Sequence, residues 1–116
     1  MHRRHRLSRS RDFDAVYRHG RSVSTRFLVL YWFPHEDPAA PRFGFSVPKS
    51  VGGAVERNKI KRQLREVWQG RLDRVPAGND YVLIVRAGLP EAVAANGFDW
   101  LGERVDEVLG MTKVAA

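Results

Sequence analysis

An unbroken run of apolar residues late in the chain places the strongest limit on the fold. Residues 80–86 read Asp-Tyr-Val-Leu-Ile-Val-Arg, with no polar side chain between the two charged ends except the tyrosine hydroxyl. A strand with one face in solvent alternates apolar and polar residues, whereas an unbroken run predicts a strand covered on both faces. At 116 residues the chain is the size of one domain. We therefore expect this strand to lie within a layered sheet.

Hydrophobic periodicity predicts the other elements. A first helix is expected to start at a cap formed by Ser8 or Ser10 and to run to about residue 18. The remaining predicted elements are strands at residues 21–24, 27–33, 42–47 and 80–86, and helices at 54–72 and from residue 90 onward. The order α-β-β-β-α-β-α makes residues 1–116 a single α+β domain, with helices packed on a four-stranded mixed sheet. Residues 1–7 are expected to form a flexible basic tail.

The positive charge is concentrated in two parts of the chain. Residues 1–26 hold eight Arg and two Asp, and residues 42–66 hold seven Lys or Arg and two Glu. Each block is strongly positive, and the rest of the chain is slightly acidic, so the two blocks carry the whole positive excess behind the formal net charge of +7. If they lie together in the fold, they form one electropositive face, which favours an anionic partner such as nucleic acid.

Several functional classes are disfavoured by residues that the sequence lacks. Without cysteine, the chain cannot form disulfides, thiolate metal sites or cysteine nucleophiles. No combination of nucleophile, base and metal ligands can be assembled, so we expect neither a catalytic nor a metal site. The longest apolar run, residues 27–33, is far shorter than the roughly 20 residues of a membrane-spanning helix. The expectation is a cytoplasmic protein with no membrane contact.

The helix predicted at residues 54–72 carries a row of cations. Arg57, Lys61 and Arg65 repeat at intervals of four, which aligns them along one side of the helix. Such a row suits a line of phosphates. The Arg guanidinium donates two parallel hydrogen bonds to one phosphate, and the Lys ammonium attracts it as a point charge. Asn58 and Arg62 follow the same side, and Lys59 projects on the remaining one. The alternative interpretation is an ordinary solvated helix face.

Three aromatic residues lie close in sequence to the basic blocks: Phe13, Tyr17 and Tyr31. Aromatic rings stack on unpaired bases, and each stacked base contributes about 1–3 kcal/mol. The alternative is that these rings pack in the core, as most aromatic side chains of a small domain do.

With these residues in view, the chain resembles the bacterial ribonuclease P protein subunit. The most specific similarity is the basic helix signature of residues 57–66, Arg-Asn-Lys-Ile-Lys-Arg-Gln-Leu-Arg-Glu. Further similarities are Asp12-Phe13, Val16-Tyr17, His19-Gly20, residues 27–31, Gly44-Phe45-Ser46-Val47 leading to Lys49, and residues 81–86. The resemblance covers nearly the full length of the chain.

The resemblance implies a fold and a function. The fold would join two parallel strands by a left-handed β-α-β crossover through the basic helix. The chain would bind the catalytic RNA of ribonuclease P and the 5′ leader of precursor transfer RNA, and would promote endonucleolytic removal of that leader. It would be the non-catalytic protein subunit of a ribonucleoprotein endoribonuclease, because the RNA carries the chemistry and holds most of the Mg²⁺. No obligate protein partner is implied.

The resemblance also assigns roles to individual residues. The implied leader-binding cleft consists of Phe13, Tyr17, Tyr31, Lys49 and Arg86. The implied RNA-binding helix residues are Arg57, Asn58, Lys59, Lys61, Arg62 and Arg65. The sequence departs from the family pattern at Lys59, where Arg is common, and at Ser50 and Ala87, where basic residues are frequent.

Two other functions fit part of the sequence. A general RNA-binding module, such as a ribosomal protein, would share the basic α+β composition but would show no preference for a 5′ leader. A protein nuclease would cleave RNA without an RNA subunit, and the lack of a recognisable catalytic cluster disfavours it.

Overall fold

A computed structural model describes residues 17–18, 20–34, 42–75 and 79–115. The strands are Arg21–Ser24 (β1), Leu28–Pro34 (β2), Arg42–Ser46 (β3) and Asn79–Val85 (β4). The helices are Ala54–Gln69 (α1), Leu89–Asn96 (α2) and Phe98–Ala115 (α3). Short 3₁₀ turns at Lys49–Val51 and Leu72–Arg74 flank α1.

The four strands form one mixed sheet in the order β1-β2-β4-β3. β2 is antiparallel to both β1 and β4, whereas β3 and β4 are parallel neighbours joined through α1. The mixed sheet predicted from the sequence and the β-α-β crossover implied by the resemblance are therefore confirmed. The left hand of the crossover stays a prediction.

One face of the sheet carries the core. Its buried strand residues are Leu28, Leu30, Trp32, Phe43, Tyr81, Leu83 and Val85. Phe43 packs against both the helix and the sheet, with its ring centroid 4.3 Å from that of Trp68 on α1 and 5.6 Å from that of Tyr81 on β4. The stripe predicted for the basic helix, Ile60, Leu64, Val67 and Trp68, is buried in the same core. This stripe therefore sets which side of α1 is available to a partner.

The predicted strands agree with the structure to within one residue at each end. β4 is buried on both faces, since Val82 and Leu83 point to opposite sides and are 0% and 1% exposed. The basic helix is shorter than expected and ends at Gln69, with Leu72 in the following 3₁₀ turn. Tyr17 and Arg18 are helical. The rest of the predicted first helix and the tail at residues 1–7 lie outside the described residues.

The last predicted helix is wrong in one respect, because the structure has two helices there. The break is at Gly97, whose φ of +93° is unfavourable for a side-chain-bearing residue. Its N–H donates to Val93 O at 2.7 Å and so ends α2, and α3 begins at the next residue. The apolar residues of both helices face one core, and for this reason their sequence pattern resembled a single helix.

Candidate nucleic-acid interface

The second face of the sheet presents Tyr31 from the middle of β2. Tyr31 pairs in register with Ser22 of β1 and Val82 of β4, and Val82 pairs with Gly44 of β3. Because side chains alternate along a strand, Tyr31 faces away from the core that its neighbours Leu30 and Trp32 enter. Tyr31, Phe33 and Ile84 pack against the buried Val82 and give this face an apolar centre.

Two of the three predicted aromatic residues are brought together on this face. The rings of Tyr17 and Tyr31 pack edge to face, with centroids 5.3 Å apart and an interplanar angle of 84°. Tyr17 is 39% exposed, and Tyr31 is partly exposed. The pair therefore presents aromatic surface outside the core, as stacking on unpaired bases requires. Phe13 lies outside the described residues.

Lys49 and Arg86 lie at one edge of the sheet. Each follows the carboxyl end of a strand, β3 and β4, and these strands run parallel as neighbours. Both residues are exposed. Helix α1 begins at the same edge, because the turn Lys49–Val51 and two glycines lead directly from β3 into it. The fold thus connects the predicted cleft cations with the start of the basic helix.

The predicted basic row flanks the buried stripe of α1. Arg57, Lys61 and Arg65 are partly buried, whereas Asn58 and Arg62 are exposed. The Nε atoms of Arg57 and Arg65 are buried and have no hydrogen-bond partner in the described part of the chain. These side chains therefore lie close against the protein, and the exposed pair projects further into solvent.

Lys59 lies on the other flank of α1. It lines a groove between α1 and α2, together with Glu56 and Gln63 of its own helix and Val93 and Phe98 from across the groove. Two carboxylates, from Glu56 and Glu91, line the same groove. Lys59 is thus separated from the other five predicted helix residues and shares its groove with two acids.

Two basic residues outside the predicted set also lie near the sheet. Arg42 forms a bidentate pair with Asp80, with Nε to Oδ1 at 2.8 Å and Nη2 to Oδ2 at 2.7 Å. Arg26, in the turn between β1 and β2, places its guanidinium carbon 5.1 Å from the centroid of the Phe27 ring. No sequence pattern distinguished either residue from the other cations of its block.

Neither a metal site nor a membrane span is found in the described ranges. No three His, Asp or Glu side chains there are grouped so as to hold a metal ion. No helix there is long and apolar enough to cross a membrane.

Comparison with known proteins decides the family. The family model described as Ribonuclease P matches residues 1–111. The chain belongs to the ribonuclease P protein family. The resemblance found in the sequence is therefore confirmed, and with it a role in ribonuclease P and in transfer RNA processing.

Relatives and solved structures of the family agree with this assignment. The chain is 45% identical over 108 residues to the ribonuclease P protein component of Acidothermus cellulolyticus, covering 92% of this chain and 87% of that protein. It is 43% identical over 89 residues to the component of Brevibacillus brevis, covering 77% and 71%. The RNase P protein of Staphylococcus aureus matches the fold with a TM-score of 0.84 at 31% identity, covering 95% and 96%. The protein from Thermotoga maritima gives 0.81 at 30% identity, covering 90% and 94%.

Proposed function

We propose that the chain binds the catalytic RNA of ribonuclease P and the 5′ leader of precursor transfer RNA, and thereby promotes endonucleolytic removal of the leader. The observation that carries the proposal is the edge-to-face pair of Tyr17 and Tyr31 on the sheet face away from the core. A leader is single-stranded, so its bases are free to stack on exposed rings.

The cations around this face supply the second part of the proposal. Lys49 and Arg86 lie at the sheet edge and would bind leader phosphates. These contacts would position the single-stranded leader across the aromatic pair. Asn58 and Arg62, exposed on α1, would meet the catalytic RNA together with the partly buried row of Arg57, Lys61 and Arg65. Lys59 would contribute to RNA attraction through its charge alone, since it lines a groove that two carboxylates also line.

We assign the cleavage chemistry to the RNA, with Mg²⁺ held mainly by the RNA and the substrate. The protein contributes position and charge: it brings two polyanions together and holds the leader in place. Neutralising phosphates replaces part of the work of free cations, so the protein should lower the Mg²⁺ concentration required for cleavage. The cytoplasmic location expected from the sequence stays a prediction.

The test compares the binding of precursor and mature transfer RNA. Ribonuclease P RNA is titrated with fluorescent precursor or mature transfer RNA at fixed magnesium and salt, with and without this protein. We expect a preference for precursor that appears only when the protein is present. Equal affinity for both substrates would contradict leader binding and favour a general RNA-binding protein. Cleavage by the protein alone would instead indicate a protein nuclease.

Substitution of Tyr31 tests whether the preference for precursor transfer RNA depends on the aromatic pair. Tyr31→Leu removes the ring that a base would stack on, and we expect about a tenfold loss of precursor affinity with mature transfer RNA unaffected. Tyr31→Phe keeps the ring and serves as the matched control, with near wild-type binding. Equal precursor binding by both variants would remove Tyr31 from the cleft.

A further inference from the structure

The turn of residues 25–28, which joins β1 to β2, is closed by its own hydrogen bonds. The N–H of Thr25 donates to Leu28 O at 2.8 Å, and the N–H of Leu28 donates to Thr25 Oγ1 at 3.3 Å. These bonds fix both ends of the turn and leave Arg26 exposed between them. Ordering Arg26 on binding therefore costs less backbone entropy than ordering a residue of an open loop.

Arg86 holds the same turn from the end of β4. Its N–H donates to Phe27 O at 2.9 Å, and its Nη1 donates to Thr25 O at 3.0 Å. The carbonyl groups on both sides of Arg26 are thus bound by one residue. The turn is consequently fixed at the sheet edge where Lys49 also lies.

The Arg26 side chain is held by an aromatic ring. Its guanidinium carbon lies 5.1 Å from the Phe27 ring centroid, and Phe27 in turn packs edge to face against Trp100 of α3 with centroids 5.5 Å apart. At the other end of this aromatic pair, Arg104 lies 5.2 Å from the Trp100 ring centroid. Two arginines therefore bracket one pair of rings.

The ionic surroundings of Arg26 and Arg104 differ. Arg104 has two carboxylates in reach, Glu107 at 3.5 Å and Glu103 at 3.7 Å. In the described ranges, no carboxylate pairs with Arg26. A guanidinium group has five N–H donors in a rigid planar arrangement, which suits the bidentate geometry of a phosphate.

From this arrangement we infer that Arg26 is a phosphate-binding residue for the RNA backbone, preorganised by the turn of residues 25–28 and by the Phe27 ring. The inference rests on the proposed function and adds to it a contact that the sequence did not indicate. The phosphate belongs either to the leader or to the catalytic RNA, and separate binding measurements with each RNA distinguish these two sources.

The test uses the assembled ribonucleoprotein and the variant Arg26→Gln. We expect about a tenfold weaker affinity for one RNA, since the lost hydrogen bonds join charged groups. The slope of log K against log salt should become less negative by about 0.7 for a single-stranded contact. Arg104→Gln is the matched control, because it removes a guanidinium from the other end of the same rings and should leave binding unchanged. Circular dichroism of both variants checks that the fold is kept.

Three binding arms give the readout: precursor transfer RNA, mature transfer RNA, and the catalytic RNA titrated with protein. A loss confined to the precursor assigns the phosphate to the leader, and a loss in the catalytic RNA arm assigns it to that RNA. Unchanged affinity in every arm would overturn the inference. A wild-type protein without any precursor preference would contradict the proposed leader binding separately, and Arg26 would then be judged on the catalytic RNA arm.

Discussion

Asp80 is a charged residue inside the sheet. It is only 4% exposed, and its carboxylate accepts two hydrogen bonds from Arg42 on the neighbouring strand. A buried carboxylate is tolerated when a fixed counter-charge and hydrogen bonds replace its water. The pair joins β3 to β4 close to the first residues of both strands, and so it helps to hold an edge strand in register.

Removing the charge of Asp80 should therefore destabilise the fold. For Asp80→Asn we expect the free energy of unfolding to fall by about 2–3 kcal/mol, which is less than for a fully buried pair because Arg42 is partly exposed. Urea denaturation followed by circular dichroism measures the change. Glu103→Gln, at an exposed acid of α3, is the control and should stay within about 0.5 kcal/mol of wild type. Equal midpoints for both variants would contradict a structural role for Asp80.

Tyr81 predicts how stability changes at alkaline pH. Burial in the core raises the pKa of its hydroxyl above 10, and the hydrogen bond from Asn79 opposes this only in part. In the unfolded chain the phenol ionises near pH 10, whereas in the folded protein it stays protonated, so stability falls as the pH rises through that value. Tyr81→Phe should lose less stability than wild type between pH 9.5 and pH 11, roughly the range that the ordinary pKa sets. Parallel pH profiles would show that the hydroxyl is not the cause.

Individual site residues were predictable only in part. The row of Arg57, Lys61 and Arg65 follows from helical spacing, which a sequence displays directly. The importance of Arg26 depends on two bonds from Arg86, a residue far away in sequence. A local sequence pattern cannot indicate a contact with a distant residue, and so nothing distinguished Arg26 from the other cations of its block.

At the scale of the elements, Arg71, which lies just after the end of α1, connects that end to helix α3 through hydrogen bonds. The Arg71 guanidinium binds Asp106 through two hydrogen bonds of 2.6 and 2.9 Å and also donates to Val67 O at 3.1 Å. The hydrogen bond to Asp106 raises the pKa of Arg71. This side chain crosses α3 at Gly102, where a β-carbon would lie 2.9 Å from Nη2.

The two glycines inside α3 should therefore respond differently to alanine. Gly110 has open space around it, so Gly110→Ala should stabilise the protein by about 0.5–1 kcal/mol through helix propensity. Gly102→Ala should gain less or lose stability, because Arg71 has to leave its position beside Asp106. Thermal unfolding of both variants beside wild type measures the difference. A larger gain for Gly102→Ala than for Gly110→Ala would contradict the packing role of Arg71.

Most elements were predictable because each carries its own period. The alternation of residues 42–47 and the unbroken run at 80–86 correspond to β3 and β4, and Pro34 marks the end of β2. The division between α2 and α3 was missed since both helices bury their apolar residues in one core and keep a common period. Asn96-Gly97 was the available signal, because this dipeptide is typical of turns.

At the scale of the whole molecule, the topology places cations from distant parts of the sequence at one edge of the sheet. Arg26 follows β1, Lys49 follows β3, and Arg86 follows β4. They reach the same edge because β1 runs antiparallel to β2 and β4 is paired with both β2 and β3. Charge counts along the sequence indicated an electropositive face, but only the strand order determines which residues form it.

The salt dependence of binding measures how many phosphates the whole protein contacts, including those reached from helix α1. Each phosphate contact adds about −0.7 to −0.9 to the slope of log K against log salt, so Arg62→Ala should make the slope for ribonuclease P RNA less negative by about one unit. Arg62 is exposed on α1, and its removal should leave the fold intact. Fluorescence titration over a series of salt concentrations gives the value. An unchanged slope would exclude Arg62 from the RNA contacts.

The strand order also has a consequence for how the protein is made. β4 lies between β2 and β3 in the sheet, although it is the last of the four described strands to be synthesised. Until it leaves the ribosome, β1 and β2 form only a hairpin, which is marginally stable in water, and β3 lacks the neighbour beside which it pairs. Strands β1 to β3 must therefore wait without a complete sheet for most of synthesis, and the sheet is completed in one late step.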